Sequence, residues 1–209
     1  MRLLDLFSGS CVVSRIAQHE FGLETISLDW GRPADIQEDV MTWDYRRFPP
    51  GHFDVIAASP DCKVWSQLRT TLKNRYPWWT KERIAHDIET IGKPMVDKVR
   101  EIITYFQPRF WWIENPRTGK MKTYITDLPF VDVDYCRYGL DRQKPTRLWT
   151  NVPIVGKECN DQCGGLIPGT RRHRATTGFR HEGQAKEERK TELEALPEPL
   201  VLEMLRAAS

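Results

Sequence analysis

Short apolar runs alternate with helix-period segments along the first two thirds of the chain. Residues 2–7 (RLLDLF) form the first run, which stops at Ser8-Gly9-Ser10; the following VVSRIAQHEF carries apolar residues at helical spacing up to Gly22. This predicts a strand, a tight turn and a helix. Residues 25–28 (TISL) are a second β-rich run ending on Asp29-Trp30, and residues 53–58 (FDVIAA) are a third, halting at Ser59-Pro60-Asp61-Cys62. From about residue 80 to 106 the spacing of Met95, Val99, Ile102, Ile103 and Phe106 predicts a helix interrupted near Gly92-Lys93-Pro94. A buried strand FWWI (110–113) then runs into Glu114-Asn115-Pro116, and residues 130–138 and 147–151 are further strand candidates. Residues 197–208 (PEPLVLEMLRAA) fit an amphipathic helix with proline in its first turn. The β-α-β-α order predicts an α/β fold, a mostly parallel sheet with helices on both faces. Ligands of such sheets sit beyond the carboxyl ends of the strands.

Composition narrows the class. The 209 residues are 40% hydrophobic and 11% aromatic, with eight tryptophans, enough apolar surface for one folded domain and too much for global disorder. No apolar run approaches the roughly 18 residues of a membrane span, and MRLLDLFSGS lacks the pattern of a secretory signal, so the expected setting is soluble and cytoplasmic, with no membrane partner. Five scattered cysteines do not form a disulfide framework. The net charge of +2 hides an uneven distribution: residues 60–125 carry 13 Lys/Arg against 7 Asp/Glu, whereas residues 1–59 carry 5 against 9. A basic middle suits a polyanionic partner at one local surface. Residues 152–190 are rich in Gly, Arg and Thr and poor in apolar residues, which predicts three parts: an α/β domain over 1–151, an irregular basic segment over 152–190, and a C-terminal helix over 191–209 packing back on the domain.

Reactive side chains fall at the predicted strand ends. Cys62 follows a proline immediately after a buried strand and precedes Lys63 and Arg69, where positive charge favours a thiolate. Glu114 ends an unusually aromatic strand, against apolar walls. Asp29 offers a carboxylate for the hydroxyls of a ribose and Trp30 a face for an adenine, while Gly9 permits close backbone approach to a cofactor. Cys159-x3-Cys163, with His173 and His181 downstream, has the residue types of a zinc site, but its spacing fits no specific module and the sequence alone assigns no metal.

In this order the pieces resemble the cytosine-C5 DNA methyltransferase family, in particular its short phage and prophage members. Asp5-Leu6-Phe7-Ser8-Gly9-Ser10 is similar to the family's D-L-F-S-G-x-G motif, Asp29-Trp30 to its ribose and adenine pair, and Asp39-Val40 to the acidic position that meets the adenine amino group. Ser59-Pro60-Asp61-Cys62-Lys63-Val64-Trp65-Ser66 resembles G-P-P-C-Q-x-F-S. Glu114-Asn115-Pro116 resembles E-N-V, and Gln143-Lys144-Pro145-Thr146-Arg147 resembles Q-x-R-x-R. The resemblance covers residues 3 to about 151. It implies a Rossmann-like fold and the cofactor S-adenosylmethionine, held by Asp5, Phe7, Ser8, Gly9, Ser10, Asp29, Trp30, Asp39, Val40 and Pro60. It implies methyl transfer to carbon 5 of cytosine in DNA through a covalent Cys62 adduct, with Glu114 at N3 of the base, Arg147 orienting the base, and Asn115 holding the Cys62 loop. Ser66, Arg69, Gln143, Arg171, Arg172 and Arg174 are the expected DNA contacts, and the setting is the cytoplasm of a bacterial or phage-infected cell.

The chain departs from the family pattern at identifiable places. Cys11 stands where a second glycine is usual, Asp61 replaces a proline beside the nucleophile, Pro145 replaces the first arginine of Q-x-R-x-R, and no G-N-x-V segment precedes Leu196. Only residues 152–190 stand in place of a target-recognition domain of about a hundred residues, which implies little sequence specificity. The same chemistry on RNA or a cytidine nucleotide, or a silent binding module, are the rival readings.

Overall fold

A computed structural model describes residues 1–71, 76–161, 163–175 and 195–209. Six strands form one sheet: β1 (Arg2–Leu6), β2 (Glu24–Leu28), β3 (Val55–Ala58), β4 (Phe110–Pro116), β5 (Phe130–Asp134) and β6 (Pro145–Thr150), in the spatial order β2-β1-β3-β4-β6-β5. The first four run parallel, and β6 pairs antiparallel with both β4 and β5. The carboxyl ends of β1 to β4 therefore share one edge, the edge where the sequence places Gly9, Asp29, Cys62 and Glu114.

Alternation along the strands feeds two cores. Leu3, Val55, Ala57, Trp112 and Leu148 pack beneath α1 (Val12–Phe21) and the C-terminal helix, while Leu4, Leu6, Ile56, Ala58, Ile113 and Trp149 pack on the opposite face with Val96, Val99, Ile102 and Phe106. Each strand residue points to the face opposite its neighbours, so both faces of the sheet are covered and its strands read as nearly continuous apolar runs. Helix α1 ends as its sequence predicts: Gly22 adopts φ 62°, its N–H donates to Gln18 O, and the N–H of Leu23 donates to Ala17 O.

The predicted break at Gly92 takes a different form. After the short helix α2 (Leu68–Thr71), α3 (Lys81–Asp87) runs through a π-helical turn (Ile88–Gly92) into α4 (Lys93–Phe106) without leaving the helical path. A Cβ on Gly92 would lie 2.9 Å from the Trp65 ring, so glycine lets the helix press against that indole. Two strand boundaries also differ from expectation. β4 continues through Pro116 because β6 supplies it with an antiparallel partner, and β5 stops at Asp134, where residues 135–138 wind into a 3-10 turn closed by Gly139 at φ 93°. The C-terminal helix, α5 (Glu198–Ala207), buries Leu200, Val201, Met204 and Leu205 against the α1 side of the sheet, and Arg15 pairs with Glu198 between the two helices.

Candidate active site

A cavity of about 620 Å³ opens at the carboxyl edge of β1 to β4. Its floor begins in the loop after β1. Phe7, Gly9 and Cys11 all take left-handed backbone conformations, with φ of 58°, 54° and 53°. At Gly9 this conformation is free of a side-chain penalty; at Cys11, the position where the family pattern has glycine, a side chain must be held in it. Asp29, just past β2, pins the loop. Its Oδ2 accepts from the N–H of Gly9 at 3.0 Å, and its Oδ1 accepts from the N–H groups of Gly31 and Arg32, both at 2.9 Å.

Asp5 holds the other side of the loop. Its Oδ2 accepts from the hydroxyl and the N–H of Ser14, at 2.8 and 3.3 Å, and so caps the first turn of α1, where Cys11 makes no side-chain cap. Asp5 is buried, and burial pushes its carboxyl up to about 6, with the Ser14 hydrogen bonds opposing and the charge of Asp29 adding. Trp30 stands at the mouth with 76% of its surface exposed, an indole face open to a planar ligand.

The chemistry-bearing side chains enter from β3 and β4. Cys62 lines the cavity and is partly exposed, on a turn closed by a bond from the N–H of Trp65 to its carbonyl. Trp65 anchors that turn: it is fully buried, stacks on Tyr124, and its carbonyl accepts from the N–H of Lys120 at 2.9 Å. Asn115, 1% exposed, donates from Nδ2 to the carbonyl of Pro60 at 2.9 Å and ties the approach to Cys62 onto β4. The charge of Asp61 beside the nucleophile is met by Lys63, whose N–H and ammonium lie 2.8 and 3.3 Å from its carboxylate.

Glu114 also lines the cavity, 5% exposed, but its surroundings are not simply apolar. The Tyr135 hydroxyl donates to its Oε1 at 3.1 Å, and the Lys144 ammonium lies 3.8 Å from the same oxygen and 4.7 Å from the Tyr135 ring centroid. Burial and the neighbouring Glu114 push the Tyr135 hydroxyl well above its ordinary value, so it remains protonated and acts as a donor.

All ten residues expected from the sequence at the cofactor line this one cavity, together with Cys62 and Glu114. The other expected site residues lie elsewhere. Arg147 is not among the residues lining the cavity: it faces Asp132 across β5–β6, makes two hydrogen bonds of 2.8 Å to that carboxylate, and covers the Phe130 ring. Lys144, from the same motif, reaches Glu114 in its place. Arg69 is paired with Asp87 between α2 and α3, and Gln143 donates to Asp134. Ser66 Oγ accepts from the N–H of Leu68 within a turn. Arg171 pairs with Asp161, Arg174 reaches Asp141 and the carbonyl of Gly164, and Arg172 is exposed on the same hairpin. His181 lies outside the described residues.

Several contributors carry no local sequence signal. Thr90 and Ile91 of the π turn, Pro94 and Met95 of α4, and Ala195 and Leu196 before α5 close the cavity walls. A π turn widens a helix locally and so re-aims side chains toward a site. Only the Gly92-Lys93-Pro94 interruption hinted at it.

The cavity suits S-adenosylmethionine on its own donor set: a glycine loop for close backbone approach, a strand-end carboxylate on Asp29 whose Oδ2 accepts a single bond, from Gly9, and an exposed indole for adenine. No helix among the described residues is long and apolar enough to cross a membrane. Comparison with known proteins agrees with this geometry. No family model matches the chain. A Frog virus 3 (isolate Goorha) protein named "Probable DNA (cytosine-5)-methyltransferase" is 39% identical over 186 residues, covering 87% of this chain and 84% of that protein. Among solved structures, the Entamoeba histolytica methyltransferase EhMeth superposes with a TM-score of 0.51 at 11% identity, covering 76% of this chain, which spans 57% of that structure's length. The S. pombe Dnmt2 methyltransferase gives a TM-score of 0.39 at 12% identity, over 77% of this chain and 52% of that one. With a mostly parallel Rossmann-like sheet, a strand-end cavity and a relative this similar over nearly its whole length, the chain belongs to the DNA (cytosine-5)-methyltransferase family.

Proposed function

We propose that this protein transfers a methyl group from S-adenosylmethionine to carbon 5 of cytosine in DNA, with Cys62 as the nucleophile and Glu114 as its partner on the base. The observation that carries this reading is that Cys62 and Glu114, at the ends of the adjacent strands β3 and β4, open into the same cavity as Gly9, Asp29 and Trp30. A nucleophile and a cofactor cradle in one cavity are what group transfer requires.

The Gly9 loop, Asp29, Trp30 and Asp39 would hold the cofactor, which supplies an electrophilic methyl group when bound. The target cytosine leaves its duplex stack to reach the cavity. The Cys62 thiolate adds to C6 of the ring, and Glu114, held by Tyr135 and Lys144, hydrogen-bonds N3, where charge develops. Addition at C6 makes C5 nucleophilic; after C5 is methylated, loss of its proton and departure of Cys62 restore the aromatic ring. Asn115 and Trp65 keep the Cys62 turn in place throughout. Residues 152–190 act as a reduced recognition segment that reads little or only a very short sequence, since the arginines at 171 and 174 are already engaged by acidic neighbours.

The test is transfer of labelled methyl from S-adenosylmethionine to duplex DNA, single-stranded DNA, RNA and dCMP in parallel. The expected product is 5-methylcytosine in duplex DNA, absent with Cys62→Ser. Label in RNA or dCMP alone would move the substrate assignment, and equal transfer by Cys62→Ser would overturn the mechanism.

A further inference from the structure

The geometry points to a structural zinc site built from Cys136, Cys159, Cys163 and His173, which ties the segment after residue 157 onto the β5–β6 pair. The four ligand atoms lie within 4.8 Å of one another: Cys159 Sγ is 3.6 Å from Cys163 Sγ, and His173 Nε2 is 3.5 and 3.2 Å from those two sulfurs. A tetrahedral ion with zinc–sulfur bonds of about 2.3 Å and a zinc–nitrogen bond of about 2.0 Å places sulfurs about 3.8 Å apart and sulfur and nitrogen about 3.5 Å apart. The three separations among Cys159, Cys163 and His173 lie within about 0.3 Å of those edges, and Cys136 Sγ stands within 4.8 Å of all three. They are far from the roughly 2.0 Å of a disulfide, and all five cysteines are free of one.

The four ligands come from separate stretches of chain. Cys136 lies in the 3-10 turn after β5. Cys159 and Cys163 flank a turn in which Asn160 and Asp161 take φ of 46° and 57°, and His173 is on the return arm of a hairpin defined by the Leu166–His173 bridge and the bond from Ile167 N–H to Arg172 O. Such convergence is not explained by apolar packing. Among the described residues from 153 to 175, only Cys159 and Gly165 are buried, so the segment has almost no core of its own, and segments of that kind are stabilised by a metal or a disulfide. Three thiolates and one imidazole select zinc among the common metals, and four protein ligands leave no open position for catalysis. The N–H of Cys159 also donates to Asp134 Oδ2 at 2.8 Å, orienting the ligand loop against the end of β5.

The site has a consequence for the cavity. Tyr135, the neighbour of Cys136 in the same turn, donates to Glu114, so zinc would fix the donor that positions that carboxylate.

The test uses the full chain purified under reducing conditions without added metal. Mass spectrometry of the metal content should give about one zinc per chain, falling several-fold in both Cys163→Ser and His173→Ala and unchanged in Cys11→Ser. Cobalt(II) bound in exchange should show thiolate charge-transfer absorption in the near ultraviolet, weakened in Cys163→Ser even if that variant retains cobalt. Reduced wild-type protein that holds no zinc and gives no cobalt spectrum would overturn the assignment, as would full zinc occupancy in both ligand variants.

Discussion

Asp5 combines two effects that a single substitution separates. Its carboxylate caps α1 through Ser14, yet it is buried, and its folded-state value of about 6 lies well above the roughly 3.9 of an unfolded aspartate. Two units at about 1.4 kcal/mol each make about 3 kcal/mol of pH-dependent stability. The folded value is raised, so this stabilisation is fully present below about pH 4 and is lost as pH rises through about 6. Asp5→Asn is neutral at every pH and keeps an oxygen that accepts from Ser14. The unfolding free energy of the variant minus that of the wild type should therefore rise by about 2.5 kcal/mol between about pH 4 and pH 7.5. Urea titrations followed by tryptophan fluorescence at a series of pH values measure this directly, with equal m-values showing that the unfolded states are comparable. A difference that stays constant across that range would refute the reasoning, because it would mean that Asp5 does not titrate above its unfolded value.

Three further outcomes follow from the geometry. Trp30→Ala should leave stability within about 0.5 kcal/mol, since the ring is exposed, while weakening S-adenosylmethionine binding by about 0.5–1.5 kcal/mol in calorimetry. Asn115→Ala should cost about 1–2 kcal/mol of stability by releasing the Pro60 carbonyl, and should lower kcat with little change in the KM for cofactor. Arg147→Ala should destabilise by about 1–3 kcal/mol through loss of its forked bond to Asp132, with most of the loss shared in a double-mutant cycle with Asp132→Ala, while the folded enzyme keeps its activity.

Strand ends made one wall of the cavity legible in the sequence. Gly9, Asp29, Trp30 and Cys62 each follow a short apolar run within a few residues, and a parallel sheet gathers such ends at one edge whatever the details of packing. Arg147 shows where this stops. Its spacing matched a motif, but the residue it faces is set by the register of β6 against β5, a long-range pairing that spacing along the chain does not encode. Lys144, three residues earlier and just before β6, lies 3.8 Å from Glu114 instead. The zinc cluster was half visible: Cys159, Cys163 and His173 are close in sequence, whereas Cys136 belongs to a different turn and joins them only once β5 and β6 have paired. Leu196 likewise reaches the cavity only because α5 docks beside α1.

The central claim is that Cys62 attacks the base. Duplex DNA carrying 5-fluorocytosine blocks release of the enzyme after methyl transfer, so incubation with S-adenosylmethionine should yield a covalent complex that survives denaturation. Tandem mass spectrometry of the digested complex should place the nucleotide on Cys62, with no complex formed by Cys62→Ser. Attachment at any other residue, or a complex that persists in the Cys62→Ser protein, would contradict the account.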